Sequence, residues 1–156
     1  MPSPRLLADE MLGRLTRQLR MIGCDTRYAH GWTDDEIVAC ARSEHRVLLT
    51  RDRALARRTP GSVLLTRTSL PDQIREVRRA IPDLTLEVSF DRCTLCNGRL
   101  EPELADAVPP EPAGGAEAPR DRPIYRCVEC GHRYWEGSHT ADVRRRLNDW
   151  AREATA

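Results

Sequence analysis

Two Cys-x-x-Cys pairs, Cys93-Thr-Leu-Cys96 and Cys127-Val-Glu-Cys130, constrain this chain more than any other feature. A glycine follows each pair closely, at positions 98 and 131. Such a turn is a knuckle, in which two thiolates converge on one ion while backbone N–H groups bond to the sulfurs. Two knuckles supply the four soft ligands of a closed tetrahedral site, so Cys93, Cys96, Cys127 and Cys130 are expected to hold one structural Zn²⁺. A rubredoxin-type iron site takes the same ligands. Disulfides need an oxidising compartment, and a redox dithiol needs a thioredoxin-like strand-to-helix setting that this sequence lacks. The 30 residues between the pairs exceed the usual ribbon spacing. A loop over 102–123, holding six of the eleven prolines, accounts for the excess, and loop closure costs rise only logarithmically with length.

Residues 1–90 carry a different pattern, strands alternating with helices. Apolar runs at 5–8, 24–29, 46–50 and 62–66 read as strands, and the alternation over 84–90 as a fifth at an edge. Leu12, Leu15, Leu19 and Ile22 recur at helical spacing, with Arg14, Arg17 and Arg20 on the opposite face and Gly23 as a stop. Thr33 and Glu36 form a capping box that opens a helix over 34–43. A short helix follows Asp52, and Pro71 starts another with Ile74, Val77 and Ile81 as its stripe. This alternation predicts an α/β domain, a mostly parallel sheet with helices on both faces. A small ribbon module over 91–156 should follow, ending in a helix over 140–150 with Val143, Leu147 and Trp150 on one side.

Three acids fall at strand ends. Asp9 follows the first strand, Asp34 and Asp35 open the helix after the second, and Asp52 lies two residues past the third. In a parallel sheet these points share the carboxyl edge, where such folds bind ligands. With strand order 2-1-3-4-5, Asp9 and Asp52 face each other at the switch point and Asp34 reaches in from one side. Carboxylates so close repel unless a cation joins them. Hard oxygen ligands favour Mg²⁺ or Mn²⁺, which can promote phosphodiester hydrolysis. The same residues equally serve as helix caps. No histidine or serine is placed as a nucleophile, and no glycine-rich phosphate loop occurs.

The run Asp34-Asp-Glu-Ile-Val-Ala-Cys-Ala-Arg-Ser-Glu-His-Arg-Val-Leu-Leu-Thr-Arg-Asp52 resembles the later half of PIN-type ribonucleases. The run Leu7-Ala-Asp-Glu-Met-Leu-Gly-Arg-Leu-Thr-Arg-Gln-Leu-Arg-Met-Ile-Gly-Cys-Asp25 is more specific. It resembles the family named for the C-terminal RNase domain of the exonuclease mut-seven. Arg92-Cys-x-x-Cys-Asn97 and Cys127-x-x-Cys-Gly-His-Arg-Tyr-Trp-Glu-Gly-Ser-His139 resemble that family's zinc-ribbon tail. The resemblance spans about residues 5–147. It implies a PIN-like fold with a zinc ribbon and ribonuclease activity with a divalent ion. Asp9, Asp34 and Asp52 would be the catalytic and metal-binding acids, with Asp35 and Glu36 less securely matched. The further acid that PIN enzymes usually carry on a mid-domain helix has no clear equivalent.

Formal net charge is +1, and all 25 basic residues are arginine, the better bidentate phosphate ligand. Arg51 and Arg53 beside Asp52, and Arg14, are the expected RNA contacts, whereas Arg17 and Arg20 read as a solvated face. Tyr134 and Trp135 could stack bases or build the ribbon's own core. No apolar run approaches the roughly 20 residues that span a bilayer, and the first nine residues hold no signal-like stretch. The sequence therefore predicts a cytoplasmic, metal-dependent ribonuclease with no membrane role. The alternatives are a non-catalytic RNA- or ribosome-binding module and an adaptor that meets a protein partner through its ribbon. Oligomeric state is left open.

Overall fold

The computed structural model describes residues 3–104 and 118–153. Of the proline-rich loop expected over 102–123, residues 105–117 lie outside the described residues. Four short strands build a parallel sheet: β1 (Leu6–Asp9), β2 (Thr26–Ala29), β3 (Val47–Thr50) and β4 (Val63–Leu64). Their order is β2-β1-β3-β4. Leu6 sits opposite both Thr26 and Val47, and Asp9 opposite Ala29. The central strands are buried on both faces because the chain returns over the sheet after every strand. Leu6, Ala8 and Leu49 pack toward α1 (Gly13–Met21) and α4 (Leu70–Ala80). Leu7 and Leu48 pack toward Ile37 and Ala41 of α2 (Asp34–Ser43) and Leu55 of α3 (Arg53–Arg58). Each fully buried Leu or Ile on these faces contributes roughly 1.5–3 kcal/mol.

Local chemistry sets the helix starts. Thr33 and Glu36 make the predicted reciprocal cap, the Thr33 N–H reaching the Glu36 carboxylate at 2.7 Å. Asp52 caps α3, and Ser69 caps α4 with Pro71 in its first turn. A single 3₁₀ turn over Glu10–Leu12 precedes α1. β2 begins at Thr26 rather than at 24, because Cys24 N–H still closes α1 onto Leu19 C=O at 3.0 Å.

Two expectations are corrected. Residues 84–90 form no strand, so the sheet has four members among the described residues. Leu84 and Leu86 do bury their side chains in the α1–α4 core. Their backbone, however, follows α1, with Ser89 N–H bonded to Met21 C=O at 2.9 Å, and β4 offers only two residues as an edge. The alternation marked burial, not pairing. Arg20 is not solvated: it is 6% exposed. Its guanidinium donates to Thr26 C=O at 2.9 Å and to the knuckle carbonyls of Thr94 at 3.1 Å and Leu95 at 3.2 Å.

Beyond residue 90 the chain forms an antiparallel sheet of β5 (Leu100–Glu103), β6 (Ile124–Cys127) and β7 (Arg133–Trp135) in that order. The final helix α5 (Ser138–Glu153) then returns to the parallel-sheet side. Val143 and Leu147 enter the same core as Ile74 and Val77, and Trp150 packs at its margin. Among the described residues no helix is long and apolar enough to cross a membrane.

Candidate active site and metal centre

β1 and β3 run side by side and parallel, so both deliver their last residues and those that follow to one edge. There the Thr50 hydroxyl donates to Asp9 Oδ2 at 2.7 Å, while its oxygen accepts the Asp52 backbone N–H at 3.0 Å. Thr50 has no exposed surface, so this is a fixed bridge between the ends of neighbouring strands. Asp9 Oδ1 accepts the Glu10 N–H at 2.7 Å, and Asp52 Oδ1 accepts those of Ala54 and Leu55 at 2.8 and 3.1 Å. Both acids thus cap the turns that follow their strands and remain reachable at the edge.

Asp34 lies at the first turn of α2, its side chain 56% exposed, with Arg58 Nη1 3.9 Å away. Arg58 also pairs with Asp35. One guanidinium from the end of α3 therefore offsets the acidic start of α2. Glu36 is committed to its capping box. The structure links the Asp9 carboxylate to the Asp52 backbone through Thr50 and leaves Asp34 and Asp35 on Arg58. Among the described residues, no carboxylate trio is gathered as a ready metal site. Of the expected RNA contacts, Arg14 and Arg53 are exposed, and Arg51 is partly buried with a buried Nε that has no hydrogen-bond partner among the described residues. Near Asp9, the Tyr28 hydroxyl donates to Glu10 C=O at 2.6 Å, and the Tyr28 ring stacks on His30.

The four knuckle cysteines do converge. Their sulfurs all lie within 4.8 Å of one another, with Cys93 and Cys130 3.6 Å apart and Cys96 and Cys127 3.4 Å apart. Gly98 N–H points at Cys96 Sγ (3.3 Å) and Cys130 N–H at Cys127 Sγ (3.5 Å). The Tyr134 hydroxyl takes the Thr94 N–H and lies 3.1 Å from Cys93 Sγ, so Tyr134 belongs to the knuckle's own framework. Burial pushes the Cys93 thiol up, but hydrogen bonds from Tyr134 and the backbone N–H groups of Cys96 and Leu95 outweigh it and bring it down to about 7. Burial holds Cys96 up to about 12, reinforced by its bonds to the other cysteine sulfurs. Four sulfurs so close cannot all ionise unless a cation joins them. The donor set and spacing fit one zinc ion in a closed, structural site.

A seam joins this centre to the parallel sheet. Asn97, in the left-handed conformation (φ 69°), accepts the Thr26 N–H at 2.9 Å and donates to Asp25 at 2.8 Å. Asp25 in turn accepts from Arg46 at 2.8 Å, an arginine with only 5% of its side chain exposed. Sequence reasoning missed Thr50, Arg20, Asp25, Asn97 and Arg58 as positioning residues. Only Thr50, in the Thr-x-Asp run, carried a signal that could have found it.

No curated protein and no solved structure matches this chain. A family model described as "Mut7-C RNAse domain" matches residues 4–147.

Proposed function

Because this chain belongs to the Mut7-C RNAse domain family, we propose that it is a metal-dependent ribonuclease working at the carboxyl edge of its parallel sheet. The observation that supports this most is the Thr50 bridge, which orients the Asp9 carboxylate and ties it to the Asp52 backbone. Asp9, Asp34 and Asp52 are the proposed ligands of Mg²⁺ or Mn²⁺. Such an ion, when bound, would supply an activated water and charge stabilisation at an RNA phosphodiester. Asp9 keeps its orientation from Thr50, and Asp52 keeps its orientation from the α3 cap. Arg58 neutralises Asp34 and Asp35 in the resting arrangement and has to yield Asp34 for that carboxylate to join the other two. Arg51, Arg53 and Arg14 offset the repulsion between the acids and an incoming polyanion. Attack by water on phosphorus leaves a 5′-phosphate and a free 3′-hydroxyl. The zinc centre holds the ribbon and takes no part in the chemistry.

One observation favours a second reading, a non-catalytic RNA-binding module: Asp9 and Asp52 already serve as caps, a role complete without any metal. Cleavage assays on single-stranded and structured RNA with Mg²⁺ or Mn²⁺ separate the two. Wild type should cleave, and Asp9→Asn and Asp52→Asn should not. Equal cleavage by all three chains would remove this site from the chemistry. RNA binding without cleavage by the wild type would establish the second reading.

A further inference from the structure

A cleft of about 410 Å³ opens where the end of α1, the extended segment at 88–92 and the β7-to-α5 turn meet. Its size falls among small-ligand sites, about 300–1,000 Å³. Phe90, Tyr134 and Trp135 line it, together with His132, His139 and Arg92. None of its lining residues is acidic. Of the nearest acids in sequence, Glu136 is turned onto Arg144, and Asp91 accepts the hydroxyl of Ser89 at the cleft's edge.

The rings differ in what they have left to offer. Phe90 is stacked on Tyr125, centroids 4.7 Å apart and planes 8° apart, and the Tyr134 hydroxyl is held by the knuckle. Both are fixed walls. Trp135 has no ring partner and no hydrogen bond to its indole N–H among the described residues. The cleft also meets the start of α5 through Ser138 and His139, and the first turn of that helix carries no acidic residue. Arg92 is turned onto Asn97 C=O at 3.3 Å and toward Asp25, so the first turn of α5 is what suits a phosphate, and the Trp135 ring suits a base. The segment Trp135-Glu-Gly-Ser-His139, which the acidic edge leaves without a role, is the part of the chain that builds this cleft.

We infer that the cleft seats one unstacked nucleotide of a single-stranded RNA, its base against Trp135 and its phosphate toward the first turn of α5. The inference deepens the ribonuclease reading, on which it relies for the identity of the polymer. Its place in the fold gives it a distinct role. Met21, which also lines the cleft, is at the far end of α1 from Asp9, on the order of 14 Å away for a nine-residue helix. The anchored nucleotide is therefore separate from the bond at the acidic edge, and the contact serves to hold a strand long enough to reach both.

The test is fluorescence anisotropy of a labelled ten-nucleotide single-stranded RNA on the zinc-loaded full chain, with no Mg²⁺ or Mn²⁺ added. Trp135→Ala should weaken binding by roughly 5- to 150-fold, the range for losing one base stack, and Trp135→Phe should restore most of it. His139→Glu, at an exposed position, should weaken binding while zinc content and Tm stay at wild-type values. This second variant keeps the test valid if Trp135→Ala fails to fold. Unchanged binding by His139→Glu and by a folded Trp135→Ala overturns the inference. So does AMP or UMP binding as tightly as the ten-mer, which would make the cleft a mononucleotide site. Because binding is read without the catalytic ion, a chain that binds RNA here and cleaves none loses the ribonuclease reading and keeps this one.

Discussion

The Thr50 hydroxyl spans 2.7 Å to the Asp9 carboxylate across two adjacent parallel strands, 41 positions apart in sequence. It also receives the Asp52 N–H, so one buried oxygen orients the Asp9 carboxylate and fixes the Asp52 backbone. Thr50→Val keeps the shape and removes both bonds. Expected stability falls by about 1–3 kcal/mol, the cost of leaving a buried partner unmet. RNA cleavage should fall by roughly 10–100-fold, as for lost orienting partners of metal ligands. Urea unfolding and initial cleavage rates check the two effects, and cleavage at the wild-type rate would detach Thr50 from the site.

Asp52 has a capping role and a proposed chemical role, and two substitutions separate them. Asparagine caps helices as well as aspartate does, whereas alanine costs about 1 kcal/mol. Asp52→Asn should therefore unfold near the wild-type midpoint and fail to cleave. Asp52→Ala should lose both stability and cleavage. Thermal melts run beside the cleavage assay give the comparison.

Gly98 is where a side chain would collide with the metal centre. A Cβ there would stand 2.7 Å from Cys127 Sγ and 2.8 Å from Glu129 Cγ. Gly98→Ala is expected to lower zinc content below one atom per chain and to lower Tm, measured by elemental analysis and calorimetry. Full zinc occupancy at unchanged Tm would contradict this packing.

Arg20 fastens the first knuckle to the start of β2 through three carbonyls. Arg20→Met keeps most of the aliphatic stem and leaves those carbonyls without their donor. The expected cost is about 2–3 kcal/mol. Faster amide exchange should be confined to residues 24–26 and 93–98, and a uniform change across the sheet would mean that Arg20 acts elsewhere.

Asp25 makes stability depend on pH. Burial pushes its carboxyl up, but hydrogen bonds from Arg46 and Asn97 and the charges of Arg46 and Arg92 outweigh it, bringing the group to about 2. A carboxylate held below its ordinary value adds stability above about pH 4, here up to about 2.5 kcal/mol, which is lost as pH falls toward 2. The stability gap between wild type and Asp25→Asn should be full at pH 6 and shrink to about a third of that by pH 2.5. Zinc release in acid affects both chains and drops out of the difference. A gap that stays constant would show that Asp25 acts by packing alone.

What the chain determines by itself is local. The 3–4 spacing of Leu12, Leu15, Leu19 and Ile22, the Thr33–Glu36 box and the Cys-x-x-Cys turns each involve residues a few positions apart. Their geometry follows from backbone periodicity and is legible before any fold is known. Acids at strand ends fall on one edge by parallel topology, so Asp9 and Asp52 could be placed at that edge in advance. Burial at Leu84 and Leu86 was legible too, but not their lack of a strand partner, because alternation reports a face and says nothing of what the backbone pairs with. Tertiary structure decided the rest. Arg20 looked solvated on its helix wheel and became buried only when a knuckle more than 70 residues away supplied carbonyls for it. Asp34 met Arg58, Asn97 met Thr26 and Trp135 came to line a cleft for the same reason: a polar or aromatic side chain takes its partner from whatever packing brings near, and no short-range pattern encodes that partner.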